Sequence, residues 1–327
     1  SSAASDVYKR QDFMDNLIFS LNATLPVFLM MVLGIVLKKI GWVSESFASQ
    51  MNKFVFLVPL PLLLFQDLAT VDFEKAWNFK FVAFCFIVTV LSITLVIMIS
   101  SFLKERSLRG EFIQASYRSS AALLGVALIQ NIYGHSVMGP LMIIGSVPLY
   151  NVMAVTVLSI YQPHRNEMDK GLLKTTLKGI ITNPIIIGIV VGLLWSILKL
   201  PMPFILSKTV SNISAMASPL GLIAMGASFD IKKAFGKLKP ALVATFIKLF
   251  GFCMIFLPIA IAFGFVGEQL VAILIMLGSA TTVTCFVMAK NMGHAGILSS
   301  NVVMLTTLLS GFSITLWLYI LRTLQFI

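Results

Sequence analysis

A chain of 327 residues that is 58% hydrophobic and 11% charged lacks the polar surface to cover a water-facing globule, because soluble domains carry roughly 25% charged residues. Its net charge of +11 sits in short Lys and Arg clusters between apolar runs rather than on one basic face, which excludes nucleic acid as a partner. The missing solvent is a lipid bilayer, in keeping with a mean hydropathy of +0.96.

Residues 1–14 are polar and lack the charged, apolar and small-residue order of a signal peptide, so a disordered leader is expected there. A spanning helix needs about 20 mostly apolar residues. Ten stretches qualify: 17–37, 50–68, 79–103, 113–133, 137–161, 175–198, 205–228, 240–264, 270–292 and 297–324. Runs this continuous exclude a β-barrel. Asn22 and Asn183 stand ahead of Pro26 and Pro184 and read as helix-entry residues. Pro59 and Pro61 should kink the second segment and Pro219 the seventh. Asp67, near the end of the second segment, reads as an interfacial structural group, with proton or cation binding as the other reading.

The fourth segment, EFIQASYRSSAALLGVALIQNIYG, is interrupted by Gln114, Arg118, Ser119, Ser120 and Gly125. The ninth is interrupted by Gly278, Ser279, Thr281, Thr282 and Thr284. Small and hydroxyl residues around a Gly let a helix open, because side-chain oxygens replace lost backbone partners. An opened helix presents N–H groups whose partial positive charge suits an anion near the midplane. The competing reading is close helix packing through small residues; corresponding placement in both segments favours opening. Arg118 lies about five residues inside its segment, ~8 Å deep at ~1.5 Å per residue. It either snorkels to the surface or supplies charge to a cytoplasm-facing vestibule. Lys248, ~12 Å deep by the same measure, reads more as helix-lining structure than as an attractor of anions. Asn151 follows Pro148, and the pair can line a polar cavity: proline frees a carbonyl, and the amide both donates and accepts. Cys85, Cys253 and Cys285 read as small buried hydrophobes. The three His lie at helix ends or loops, so neither a metal nor a cofactor is expected. Without HExxH, a P-loop, a dinucleotide fingerprint or GxSxG, an enzyme is not expected.

A shift of 158 positions pairs Pro26 with Pro184, Gly34 with Gly192, Pro61 with Pro219 and Asp72 with Asp230. The chain thus reads as two five-helix repeats, 15–161 and 175–327, joined by a cytoplasmic loop at 162–174. An odd helix count makes the second enter the membrane from the opposite side, an inverted repeat. Fifteen Lys and Arg fall on the face away from the termini and, leaving out the leader, five on the terminal face. The richer face should be cytoplasmic, leaving both termini outside a cytoplasmic (inner) membrane.

Several stretches resemble the auxin efflux carrier family, including its bacterial malate- and malonate-permease-like members. They are LGIVLKKIGWVSESFASQMNKFVFLVPLPLLLF, YRSSAALLGVALIQNIYG, SVPLYNVMAVTVL, NPIIIGIVVGLLW, SPLGLIAMGASFD and SATTVTCFVMAKNMG. The resemblance implies an all-α polytopic membrane protein of ten helices in two inverted repeats. It also implies crossed, broken fourth and ninth helices, as in sodium/proton antiporters and bile-acid symporters, with an elevator-like transport domain on a scaffold. By position, the crossing falls near Ser119, Ser120 and Gly125 and near Ala280, Thr281 and Thr284, and Asn151 matches the binding-site Asn after the PLY turn. Relatives often carry Pro near Ala127 and Ala280 and Asn at Ser120 and Thr284.

The expected function is secondary transport of a small organic carboxylate anion by alternating access. The guest would be held by Ser119, Ser120, Asn151, Thr281, Thr282 and Thr284. Helix breaks are expected near Gly125, Ala127, Gly278 and Ala280, and Arg118, Lys248 and Asp67 are charged neighbours. A ligand-binding receptor and an anion channel are the alternatives. The coupling ion, H+ or Na+, is open, as is a homodimer.

Overall fold

The computed structural model describes residues 2–70, 78–121, 126–134, 136–163, 181–230, 232 and 237–327. Each expected segment falls on helix where it is described; residues 122–125 of the fourth and 175–180 of the sixth lie outside the described residues. The first is α1 (Ser2–Lys39); the second is α2 (Glu45–Leu57) and α3 (Pro59–Ala69); the third is α4 (Phe79–Ser100). The fourth is α5 (Arg106–Tyr117) and α6 (Val126–Tyr133), and the fifth is α7 (Met138–Ile160). The sixth is α8 (Pro184–Ile197); the seventh is α9 (Phe204–Ser214) and α10 (Ala217–Ser228). The eighth is α11 (Leu238–Phe246), a π-helical turn at Ile247–Gly251, and α12 (Phe252–Ala262). The ninth is α13 (Gly267–Gly278) and α14 (Thr284–Asn291), and the tenth is α15 (Ile297–Thr323). Among the described residues, six helical stretches are long and apolar enough to cross a bilayer: 45–69, 79–100, 138–160, 204–228, 238–262 and 297–323. The chain is therefore a multi-pass membrane protein. Exposed Phe79, Ile87, Phe102, Phe204, Ile205 and Phe312 belong to its lipid-facing surface.

The breaks have local causes. Proline lacks an N–H and fits the first turn of a helix. Accordingly α2 ends at Val58 and α3 restarts on Pro59, while the seventh segment turns at Ala215 and Met216 just ahead of Pro219. The Asn78 and Asn183 side chains cap α4 and α8 by accepting from the Phe81 and Ile185 N–H groups. Two expectations fail at the start of the chain. The leader is helical from Ser2, because neither Pro nor Gly occurs before Pro26, and Asn22 consequently lies inside α1 rather than at its cap.

Helices α1, α2, α3, α8, α9 and α10 pack mainly on one another, with α1 against α10 and α3 against α8. Helices α4, α5, α7 and α11–α15 form a second cluster, joined to the first where α15 meets α1. Glycine sets the closest approaches in the first cluster. A Cβ on Gly226 would meet the Met31 carbonyl at 2.0 Å, one on Gly34 the Ile223 carbonyl at 2.3 Å, and one on Gly192 the Phe65 carbonyl at 2.8 Å. The 158-residue shift that relates Gly34 to Gly192 also relates Ile223 to Phe65, so one contact maps onto the other. Gly226→Ala should force α1 and α10 apart at a cost of about 1–3 kcal/mol, as overpacking does. The check is thermal unfolding in detergent beside Gly251→Ala, whose Cβ would have 3.8 Å of clearance.

Buried Glu111 of α5 accepts from the Gly296 and Ser299 N–H groups, both at 2.9 Å, and so caps α15 from another helix. Glu111→Ala should cost about 1–2 kcal/mol, the worth of a strong cap. Hydrogen exchange should localise the loss to residues 296–300, and uniform protection there would refute the cap.

Candidate functional site

Both interrupted segments stop near their middles. At the end of α5, Arg118 turns extended (φ −72°, ψ 134°); at the end of α13, Ser279 does the same (φ −77°, ψ 165°). The two extended stretches meet, and the Ser120 N–H donates to the Ala280 carbonyl at 2.9 Å. The Thr281 N–H donates to Thr306 Oγ1 at 3.0 Å and its hydroxyl to the Ala115 carbonyl at 2.8 Å. The Gln114 amide donates to the Cys285 carbonyl at 2.9 Å. These tethers satisfy backbone groups that an unwound turn leaves without partners. They hold the ninth segment open with Ala rather than Pro at position 280.

Lys248 completes the junction. It sits in the π turn, fully buried, with its ammonium donating to the Leu277 carbonyl at 2.7 Å and to the Ser119 hydroxyl. The Met276 and Tyr117 carbonyls follow at 3.4 Å each. Those carbonyls end α13 and α5, where a helix carries partial negative charge. Lys248 is thus a cap shared by both broken helices, and it does not line the cavity described next. The π turn leaves the Leu249 carbonyl for the indole N–H of Trp317, which donates to it at 3.1 Å.

A cavity of about 110 Å³ opens beside the crossing. Arg118, Ser119, Ser120, Thr282 and Thr284 face it from the two extended stretches and Asn151 from α7, while α3 and α10 contribute Asp67 and Ser218. Arg118 lies twelve residues past the start of α5, roughly 18 Å along the axis at ~1.5 Å per residue, and is 3% exposed. It does not snorkel: the helix starts at Arg106, earlier than the apolar run, and carries it inward. The Arg118 guanidinium donates to Asn151 Oδ1 at 2.7 Å and to Met288 Sδ at 2.8 Å, and its Nε–H has no partner. The Asn151 amide in turn donates to the Val147 carbonyl at 2.9 Å, which orients its oxygen toward Arg118. Among the described residues no carboxylate pairs with Arg118 or ammonium with Asp67.

The remaining expected residues divide. Thr281, 2% exposed, braces the crossing instead of facing the cavity. Gly278 allows tight packing, since a Cβ there would meet Cys253 Sγ at 2.7 Å. Gly125 lies outside the described residues, and Ala127 falls in the first turn of α6. Asp67, two residues from the end of α3, forms part of the cavity wall. The N–H groups of Thr281, Thr284, Cys285 and Phe286 all have protein acceptors. Arg118 adds a side-chain positive charge at this wall, beside the Thr282 and Val283 N–H groups, which have no acceptor among the described residues. Sequence reasoning missed Tyr117 and Tyr150, whose hydroxyls donate to the Tyr150 and Met276 carbonyls at 3.0 and 3.2 Å. A Tyr within an apolar run needs such a partner, and that was the available signal.

Residues 19–318 match the model of a family described as membrane transport protein. A search of curated proteins returns no match. Among solved structures, the chain is similar to the sodium proton antiporter MjNhaP1 from Methanocaldococcus jannaschii at pH 8, with a TM-score of 0.59 and 11% identity over 94% of this chain and 99% of that one. At that identity the likeness concerns the fold. With helices interrupted and crossed beside a cavity that holds a buried guanidinium, and a family match over most of its length, the chain belongs to the membrane transport protein family of auxin efflux carriers and is a secondary transporter rather than an enzyme.

Proposed function

We propose that the cargo is a small organic carboxylate, moved by alternating access with its carboxylate on Arg118. The observation that carries this reading is the guanidinium itself: buried, offered only a neutral amide and a thioether, with one N–H unpartnered. A buried cation left this way is costly, and an anionic guest removes the cost. Hydroxyls of Ser119, Ser120, Thr282 and Thr284 supply neutral hydrogen bonds around it.

Two inverted repeats, 15–161 and 175–327, accord with the matched contacts at Gly34 and Gly192, and the distribution of Lys and Arg favours a cytoplasmic basic face with both termini outside. In this reading α1–α3 and α8–α10 form the scaffold, and the cluster bearing the crossing moves against it. The test is flux in proteoliposomes preloaded with a mixture of mono- and dicarboxylates. Saturable counterflow of a labelled carboxylate is expected. Conductance without saturation would make the protein a channel, and binding without flux a receptor.

A further inference from the structure

We infer that the carboxylate cargo also carries a positively charged amine, so that the cavity selects a small zwitterion of the amino-acid type. The inference rests on the carboxylate reading above and adds the half of the site that reading leaves unused. Asp67 of α3 lines the same cavity as Arg118. The two charges are not an ion pair, and Asp67 accepts no hydrogen bond from any described residue. Apart from Arg118, the described residues that line the cavity include no cation.

A carboxylate withdrawn from bulk water, with no hydrogen-bond donor among the described residues, is stabilised by a positive partner. The cavity therefore presents one anion acceptor and one cation acceptor, each lacking its counterion, on elements that pack in different clusters of the fold. A guest bearing only negative charge would satisfy Arg118 and leave Asp67 repelling it across the cavity, and a second carboxylate would worsen that. A guest bearing both charges satisfies both walls, and its net neutrality matches the cavity's own. Size agrees: about 110 Å³, at roughly 10–15 Å³ for each water-sized probe, is on the order of ten waters, enough for a small amino acid.

The test compares acids that differ only by the amine: alanine with propionate, and 4-aminobutyrate with butyrate, read as thermal shifts of the purified protein and as counterflow. At least one amino acid should bind at least tenfold more tightly than its amine-free partner. Asp67→Asn should abolish that preference and admit propionate or butyrate, while Arg118→Gln loses both kinds of ligand. Binding of propionate or butyrate with equal or better affinity than the amino acids would overturn the zwitterion while leaving the carboxylate reading intact. So would an amine preference unchanged in Asp67→Asn. No response to any of the four acids would overturn both. Removing a side chain that makes no hydrogen bond should leave Asp67→Asn folded; should it not fold, the comparison on the native protein still decides.

Discussion

Arg118→Gln should abolish transport and leave the protein at least as stable as before. Truncating one partner of a buried, hydrogen-bonded charge pair costs about 2–5 kcal/mol of binding, which is roughly thirty- to several-thousand-fold at ~1.4 kcal/mol per tenfold. In the empty protein the balance runs the other way. The guanidinium is 3% exposed and has no carboxylate partner among the described residues, so replacing it with a neutral amide removes a desolvated charge. Glutamine still has an N–H to offer Asn151 Oδ1. The expected signature is joint: counterflow falls below detection while the melting temperature in detergent stays level or rises. Arg118→Lys keeps the charge but not the planar fork, and should recover only part of the flux. If flux and melting fell together, the guanidinium would be a structural strut, and the cavity would lose its claim to the cargo.

The sequence made most of the fold legible because lipid imposes one rule, long apolar runs, that needs no knowledge of partners. Breaks were legible wherever a proline writes them, as at Pro59 and Pro219. The crossing was readable as a cluster of Ser, Thr and Gly. Its mechanism was not, since the Ser120–Ala280 and Thr281–Thr306 hydrogen bonds join residues far apart in the chain. Depth misled for Arg118, because hydropathy starts a helix at its first apolar residue, and here a polar first turn from Arg106 to Glu111 carries it further in. Asp67 reads as interfacial from its position near the end of one segment; its place in the cavity wall depends on the packing of α3 beside the crossing, which one segment does not reveal. Asn151 was legible because Pro148 and an in-span amide are a rare combination, although its partner Arg118 was not.

The second buried cation should behave in the opposite way. Lys248→Met matches the length of the lysine stem but should destabilise the protein by about 3 kcal/mol or more, since each buried acceptor left unpaired costs ~1–3 kcal/mol. The substitution strands the Leu277 carbonyl and removes the counter-charge from the Met276 and Tyr117 carbonyls at the ends of two helices. Losing a buried ammonium returns some desolvation energy, but this ammonium is satisfied by oxygens, so less is recovered than at Arg118. Lys248→Gln keeps two N–H donors without the charge and should fall between. Thermal unfolding should therefore rank native above Lys248→Gln above Lys248→Met, with flux lost in step because the helix ends that position Ser119 and Arg118 are no longer held. A Lys248→Met protein that melts with the native one would mean the crossing is stabilised by its backbone tethers alone. The contrast between the two cations is the physical core of the site. Full satisfaction at Lys248 fixes the broken helices, and that rigidity lets Arg118 remain unsatisfied until an anion arrives.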